Sequence, residues 1–112
     1  MDKALLITCG DEKCYGPAKE KLSVSRVFIC ARPGINKILG ESFNTTQIKE
    51  VREEVEFYCK LGLNKIAIAG HENCAGNPTS REQQVKHLRE AKNTVESFGI
   101  NEMGVIILYV NG

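Results

Sequence analysis

Four short apolar segments, each ended by a turn or a polar residue, limit the folds open to this chain of 112 residues. They cover residues 3–8, 26–30, 65–69 and 105–110. The last segment is apolar without alternation, which is typical of a strand covered on both faces. A chain of this length has room for one hydrophobic core. The sequence therefore predicts four buried strands in a single domain that spans residues 1–112.

Helical patterns lie between these segments. Pro17 suits the first position of a helix, and the run from Ser80 to Gln83 has the form of a capping box. The predicted helices cover residues 16–22, 35–39, 47–61 and 80–98. Strands that alternate with helices favour a parallel sheet with right-handed crossovers. We therefore predict an α/β fold, with a four-stranded, mainly parallel sheet in the order 2-1-3-4 that is flanked by helices.

Cysteine and histidine side chains follow two of the predicted strands. Cys9 comes directly after the first strand, and His71 and Cys74 come after the third. In open parallel sheets the binding crevice lies at the carboxyl ends of the strands, where the strand order reverses. In the order 2-1-3-4 that point falls between the first and third strands, so we expect the three residues to converge. Two thiolates and an imidazole suit zinc better than magnesium or calcium, and three protein ligands leave one position open for catalysis.

Other interpretations of these residues stay open on the residues alone. Cys9 and Cys74 are also typical small core residues, and His71 could simply cap a turn. Cys14 could supply a third thiolate, which would close a structural Cys3His zinc site. In a further alternative, Cys9 or Cys74 reacts as a thiol and binds no metal. His87 lies in the middle of a predicted helix beside a lysine and near an arginine, which indicates a solvated surface histidine.

The composition of the chain limits the classes of partner and the cellular compartment that we expect. The formal net charge is +1, and lysine and arginine are spread over the whole length, which argues against a nucleic-acid surface or a membrane patch. The first apolar run has only four residues, Ala4 to Ile7, so we expect a strand there and neither a signal peptide nor a membrane span. Five cysteines are an odd number. Without a secretory signal they favour a reducing cytoplasm. The absence of a basic surface favours a small-molecule substrate.

Two motifs resemble those of the β-class carbonic anhydrases, whose patterns are Cys-x-Asp-Ser-Arg and His-x-x-Cys. Here they read Cys9-Gly-Asp11-Glu-Lys13 and His71-Glu-Asn-Cys74. The resemblance extends over residues 51–70, 84–89 and 104–112. It implies a zinc lyase, a carbonic anhydrase, that interconverts carbon dioxide and bicarbonate. It also implies Cys9, His71 and Cys74 as zinc ligands, and Asp11 as the acceptor of a hydrogen bond from zinc-bound hydroxide.

The chain departs from the family pattern at three places. Lys13 replaces an arginine that grips the aspartate in the family, and lysine lacks the planar fork that makes such a bidentate pair. We therefore expect Asp11 to be held less firmly and to take the fourth zinc position. Ala75 and Gly76 replace the glycine after the second cysteine, which predicts a differently placed turn. Only eight residues precede Cys9, where family members have helical arms, so the chain resembles a minimal member.

Two functional hypotheses follow. The first is zinc-dependent carbon dioxide hydration in which Asp11 and Lys13 act at the catalytic site, in a cytoplasmic homodimer that pairs through sheet edges or helix faces. The alternative is an inactive zinc-binding relative whose site is closed by Asp11 or Cys14, and which serves as a small structural or binding module.

Overall fold

The computed structural model describes residues 2–41, 45–100 and 104–110. Strands and helices alternate along this part of the chain. In order they are β1 (Lys3–Thr8), α1 (Glu12–Leu22), β2 (Arg26–Ala31), α2 (Ile35–Gly40), α3 (Thr45–Cys59), β3 (Lys65–His71), α4 (Arg81–Glu96) and β4 (Val105–Val110). The strands form one sheet in the order β2-β1-β3-β4, and all three pairings are parallel. The predicted fold class and strand order are confirmed.

The two central strands are the most deeply buried. Every residue of β1 and β3 after the first is buried, because helices cover both faces of the sheet. Leu5 lies opposite Phe28 of β2 and Ile66 of β3, which fixes the register across the sheet. β3 continues to His71, which pairs with Val110 of β4. The strand is therefore two residues longer than the apolar pattern predicts, and the histidine is its last residue.

The two faces of the sheet carry different side chains. Large aliphatic residues, such as Leu5 and Ile68, pack against α2, α3 and α4 on one face. Small residues dominate the other face, where Ala67 and Ala69 share a cluster with Leu6 and residues of α1. Because alanine side chains are short, α1 packs close to the backbone of the sheet on this face. The second cluster also contains the cysteines at the ends of β1 and β3.

The start of α1 differs from the prediction. The helix begins at Glu12, five positions before Pro17, which stands inside it. Asp11 is the N-cap, and its Oδ1 accepts a hydrogen bond from the backbone N–H of Lys13 at 2.9 Å. This cap satisfies a free N–H of the first turn. Pro17 removes only the hydrogen bond that its own nitrogen would donate to Lys13, so the helix continues through it.

The other helices agree with the pattern to within two residues at the ends that can be compared. α3 begins and ends two residues earlier than predicted, and the predicted cap Asn44 lies outside the described residues. The predicted cap of α4 is confirmed at Ser80, whose Oγ accepts from the backbone N–H of Gln83 at 3.1 Å. The Gln83 side chain, which would complete a capping box, contacts His87 instead. None of the helices in the described ranges is long and apolar enough to cross a membrane.

Candidate metal centre

The parallel pairing of β1 and β3 brings the residues after β1 and at the end of β3 to the same edge of the sheet. Cys9, His71 and Cys74 meet there, with their ligand atoms all within 4.8 Å of one another. All three side chains are buried, at 7%, 1% and 4% exposure. The three residues from which the sequence predicts a metal site are thus positioned to bind a metal.

The separation of the two sulfur atoms fits a shared metal ion. Cys9 Sγ and Cys74 Sγ lie 3.6 Å apart, and both cysteines are free. A tetrahedral zinc ion with Zn–S bonds of about 2.3 Å would place two sulfur ligands about 3.8 Å apart. A disulfide would require a sulfur separation of about 2.05 Å. The observed spacing therefore fits two ligands of one ion.

The His71 imidazole is an orphaned polar group. It is buried, and within residues 2–41, 45–100 and 104–110 neither Nδ1 nor Nε2 has a hydrogen-bond partner. A buried polar atom without a partner costs about 1–3 kcal/mol, so such groups are rare in native proteins. A metal ion bound through one nitrogen would remove part of this cost. One nitrogen and two sulfurs are the donor set that zinc prefers.

The sulfur of Cys74 receives main-chain hydrogen bonds. Burial is the main cause that raises the pKa of the Cys74 thiol, and neighbouring Cys9 raises it further. The backbone N–H groups of Gly76 and Asn77 point at the sulfur and lower its pKa, which partly offsets the burial. A coordinated divalent cation stabilises the thiolate directly. The turn after Cys74 is therefore built to receive a charged sulfur once an ion is bound.

That turn packs backbone to backbone against the turn after β2. A Cβ on Gly76 would overlap the main chain of Gly34, and a Cβ on Gly34 would overlap the carbonyl of Gly76. Gly34 also has a φ of 63°, in the left-handed region. Gly76, one position later than the family glycine, therefore provides the close approach that sets the path of this turn.

Asp11 and Lys13 follow the proposed ligand Cys9 by two and four positions in the chain. Both residues are exposed, and Asp11 is not one of the grouped ligand residues. In the described part of the chain, the Lys13 ammonium forms no ion pair with Asp11. It is the backbone N–H of Lys13 that holds Asp11 Oδ1. The catalytic roles of these two residues stay predictions.

Cys14 lies close by, outside the group of three. Its sulfur accepts a hydrogen bond from Thr8 Oγ1 at 3.2 Å, and the residue is fully buried. Burial raises the pKa of the Cys14 thiol to about 11. Cys14 is thus a core residue on the buried face of the first turn of α1.

The prediction of a solvated His87 is wrong. His87 is only 5% exposed, and its ring contacts the side chains of Asn77 and Gln83. The residue stands four positions before Ala91 and three after Gln84, both buried, so it belongs to the inward face of α4. That spacing is the signal that could have revealed it; the lysine and arginine nearby concealed it.

The fold and the Cys2His donor set define an α/β protein with three residues positioned to bind a metal ion. Over residues 1–112 the chain matches the family model described as putative carbonic anhydrase, and it belongs to that family. Neither the comparison with curated proteins nor that with solved structures found a match.

Proposed function

We propose that the protein catalyses the reversible hydration of carbon dioxide to bicarbonate with a zinc ion held by Cys9, His71 and Cys74. The observation that carries this proposal is the buried, unpartnered His71 imidazole beside two thiols 3.6 Å apart. Membership of the putative carbonic anhydrase family supports the reaction.

The chemistry follows from the donor set. Zinc with three protein ligands keeps a fourth position and acts there as a Lewis acid, which lowers the pKa of a coordinated water to about 7. Two thiolates balance the charge of a divalent ion, so the loaded site carries no net charge, which suits its burial. Backbone N–H groups of the Cys74 turn add hydrogen bonds to one sulfur.

We assign Asp11 the role of orienting the reacting water. Its Oδ1 is engaged as the helix cap, and its second carboxylate oxygen remains to accept a hydrogen bond. Lys13 positions this carboxylate through its main-chain N–H. The β-class carbonic anhydrases that the chain resembles use an arginine side chain for this purpose. The first turn of α1 thereby serves both as a helix start and as the support of a catalytic group.

One observation favours a second candidate function. Because the Lys13 ammonium does not pair with Asp11 in the described residues, no cation on that side chain holds the carboxylate away from the metal. Asp11 would then take the fourth zinc position, and the chain would be a zinc-binding relative without hydration activity.

Stopped-flow carbon dioxide hydration with zinc-loaded protein separates the two. Asparagine caps helices as well as aspartate does, so Asp11→Asn removes the charge and keeps the cap. We expect activity in the wild type and a loss of about 10²-fold in Asp11→Asn, the scale of one positioned acid–base group. Glu12→Gln, a neighbouring exposed carboxylate, is the matched control and should retain full activity.

The zinc content of the wild type and of a ligand variant also separates the two candidate functions. Cys9→Ser should lose zinc and activity together. Stoichiometric zinc in an inactive wild type would support the closed site, and a wild type that takes up no zinc would contradict both functions.

We also infer that the protein works as a cytoplasmic homodimer. All five cysteines are free, which fits a reducing compartment. Phe57 of α3 is 60% exposed, and the edge strands β2 and β4 each have one unpaired side in the sheet. Light scattering should give twice the chain mass of 12.4 kDa, and less association in Phe57→Glu. A monomeric wild type would contradict the dimer.

A further inference from the structure

His87 occupies a polar pocket between α4, α2 and the Cys74 turn. The ring is buried, and α2 approaches closely because Gly40 has no side chain: a Cβ there would come within 3.1 Å of the His87 carbonyl oxygen. Three polar side chains face the imidazole, from Asn77, Gln83 and Glu41.

The surroundings of the ring decide which nitrogen carries the proton. Glu41 Oε1 lies 3.8 Å from His87 Nε2, and a carboxylate there favours an N–H at Nε2. The Gln83 amide, 3.1 Å from the same nitrogen, accepts that N–H when its oxygen faces the ring. His87 Nδ1 then has a free lone pair, and it accepts from the Asn77 side-chain amide at 3.0 Å.

Asn77 connects this histidine to the metal centre. Its side chain is held by His87, and the residue is only 3% exposed. Its backbone N–H donates to the carbonyl oxygen of Cys74 at 3.2 Å, and this N–H also lowers the pKa of the Cys74 thiol. Groups that hold a metal ligand by hydrogen bonds set its orientation, and their removal weakens metal binding by about 10–100-fold.

We propose that His87 is a positioning residue of the metal centre, and that it fixes the Cys74 sulfur for zinc through the side chain and backbone N–H of Asn77. The inference rests on the proposed function, because it requires that Cys74 binds the ion. His87 is not one of the grouped ligand residues, so its proposed effect on the site passes through Asn77.

Two substitutions of His87 test the contacts of its two ring nitrogens separately. Asparagine places its amide oxygen close to the position of Nδ1, so His87→Asn keeps an acceptor for Asn77. Glutamine places its amide near the position of Nε2, so His87→Gln keeps the contact with Gln83 and loses the one with Asn77. Asn77→Ala breaks the same link from the other side.

The readouts are zinc affinity, measured by competition with a coloured chelator, and the absorption spectrum of the cobalt-loaded protein. We expect His87→Gln and Asn77→Ala to bind zinc about 10–100-fold more weakly, with altered cobalt d–d bands, while His87→Asn stays close to the wild type. Val95→Ala, a buried apolar change farther along α4, controls for lost stability and should leave zinc affinity unchanged.

Wild-type affinity in both His87→Gln and Asn77→Ala would overturn the inference, and so would an equal loss in Val95→Ala. If that result came with a wild type that binds zinc and hydrates carbon dioxide, it would overturn the inference alone and leave the proposed function standing. A wild type that binds no zinc would overturn the proposed function as well.

Discussion

Gly76 has no functional group, yet it determines where the Cys74 turn lies. Its main chain crosses that of Gly34 with no room for a Cβ at either position. The contact joins the turn after β2 to the turn that carries a metal ligand. The position of the Cys74 sulfur therefore depends on two residues with no ligand chemistry of their own.

We expect Gly76→Ala to lower the free energy of unfolding by more than about 2 kcal/mol, because backbone overlap is relieved only by moving one of the two turns. Denaturant unfolding of the metal-free protein measures this. Gly16→Ala is the matched control, since nothing lies within 4 Å of its Cβ position. Alanine suits a helix interior better than glycine, so stability should stay level or rise by up to about 1 kcal/mol. Equal stability in the two variants would show that the turns adapt.

Cys30 makes stability sensitive to alkaline pH. Burial is the largest cause that raises the pKa of its thiol far above the ordinary 9.0, and Glu54 raises it further. The unfolded chain therefore loses this proton at lower pH than the folded chain does. The contribution of Cys30 to the free energy of unfolding is therefore complete below pH 9 and decreases as the pH rises above 9.

In Cys30→Ala we expect the decline of unfolding free energy above pH 9 to become shallower, by up to about 1.4 kcal/mol per pH unit. Urea unfolding between neutral pH and the alkaline range measures the slope. Val51→Ala removes buried apolar atoms and no proton, so it should lower the curve without changing its slope. Parallel curves for Cys30→Ala and the wild type would contradict the assignment.

From the sequence, site residues could be predicted where a possible metal ligand stands at the end of a predicted strand. Cys9 and His71 follow from the strand order, because parallel neighbours end at the same edge. The role of Gly76 could not be predicted, since it depends on a contact with the turn after β2, and such a contact leaves no local pattern in the chain. The inward direction of His87 was indicated by its spacing from Gln84 and Ala91, but the charged residues beside it concealed this signal.

Among the elements, α1 connects fold and site most directly. Its cap, Asp11, is also the proposed orienting carboxylate, and the helix starts three residues after Cys9. The apolar strands were predictable because burial on both faces requires unbroken aliphatic runs. The start of α1 was not, because Pro17 gives a strong first-turn signal and the weaker Asp11 signal decided the structure.

Asp11→Ala should destabilise the protein by about 1 kcal/mol through loss of the cap, whereas Asp11→Asn should leave stability nearly unchanged. Thermal or urea unfolding of the metal-free variants measures the difference. Equal losses in the two variants would mean that the charge of Asp11, and not its capping oxygen, supports α1.

For the whole molecule, the sheet order determines where the metal centre lies. β1 and β3 are central, their ends meet at the switch point, and the small residues on the α1 face leave the cysteines buried there. An ion bound to residues after two different strands ties these strand ends together, so metal uptake should favour the folded state. Fold and proposed function thus depend on the same edge of the sheet.

X-ray absorption at the zinc edge tests the central claim most directly, on protein loaded with one equivalent of zinc. The account predicts two sulfur neighbours at about 2.3 Å and two lighter ones at about 2.0–2.2 Å, of which one is the His71 nitrogen. Cys9→Ser should leave a single sulfur neighbour or no bound zinc, and Cys14→Ser should leave two. Three sulfur neighbours in the wild type, or zinc that the chain does not retain, would contradict a zinc centre held by Cys9, His71 and Cys74.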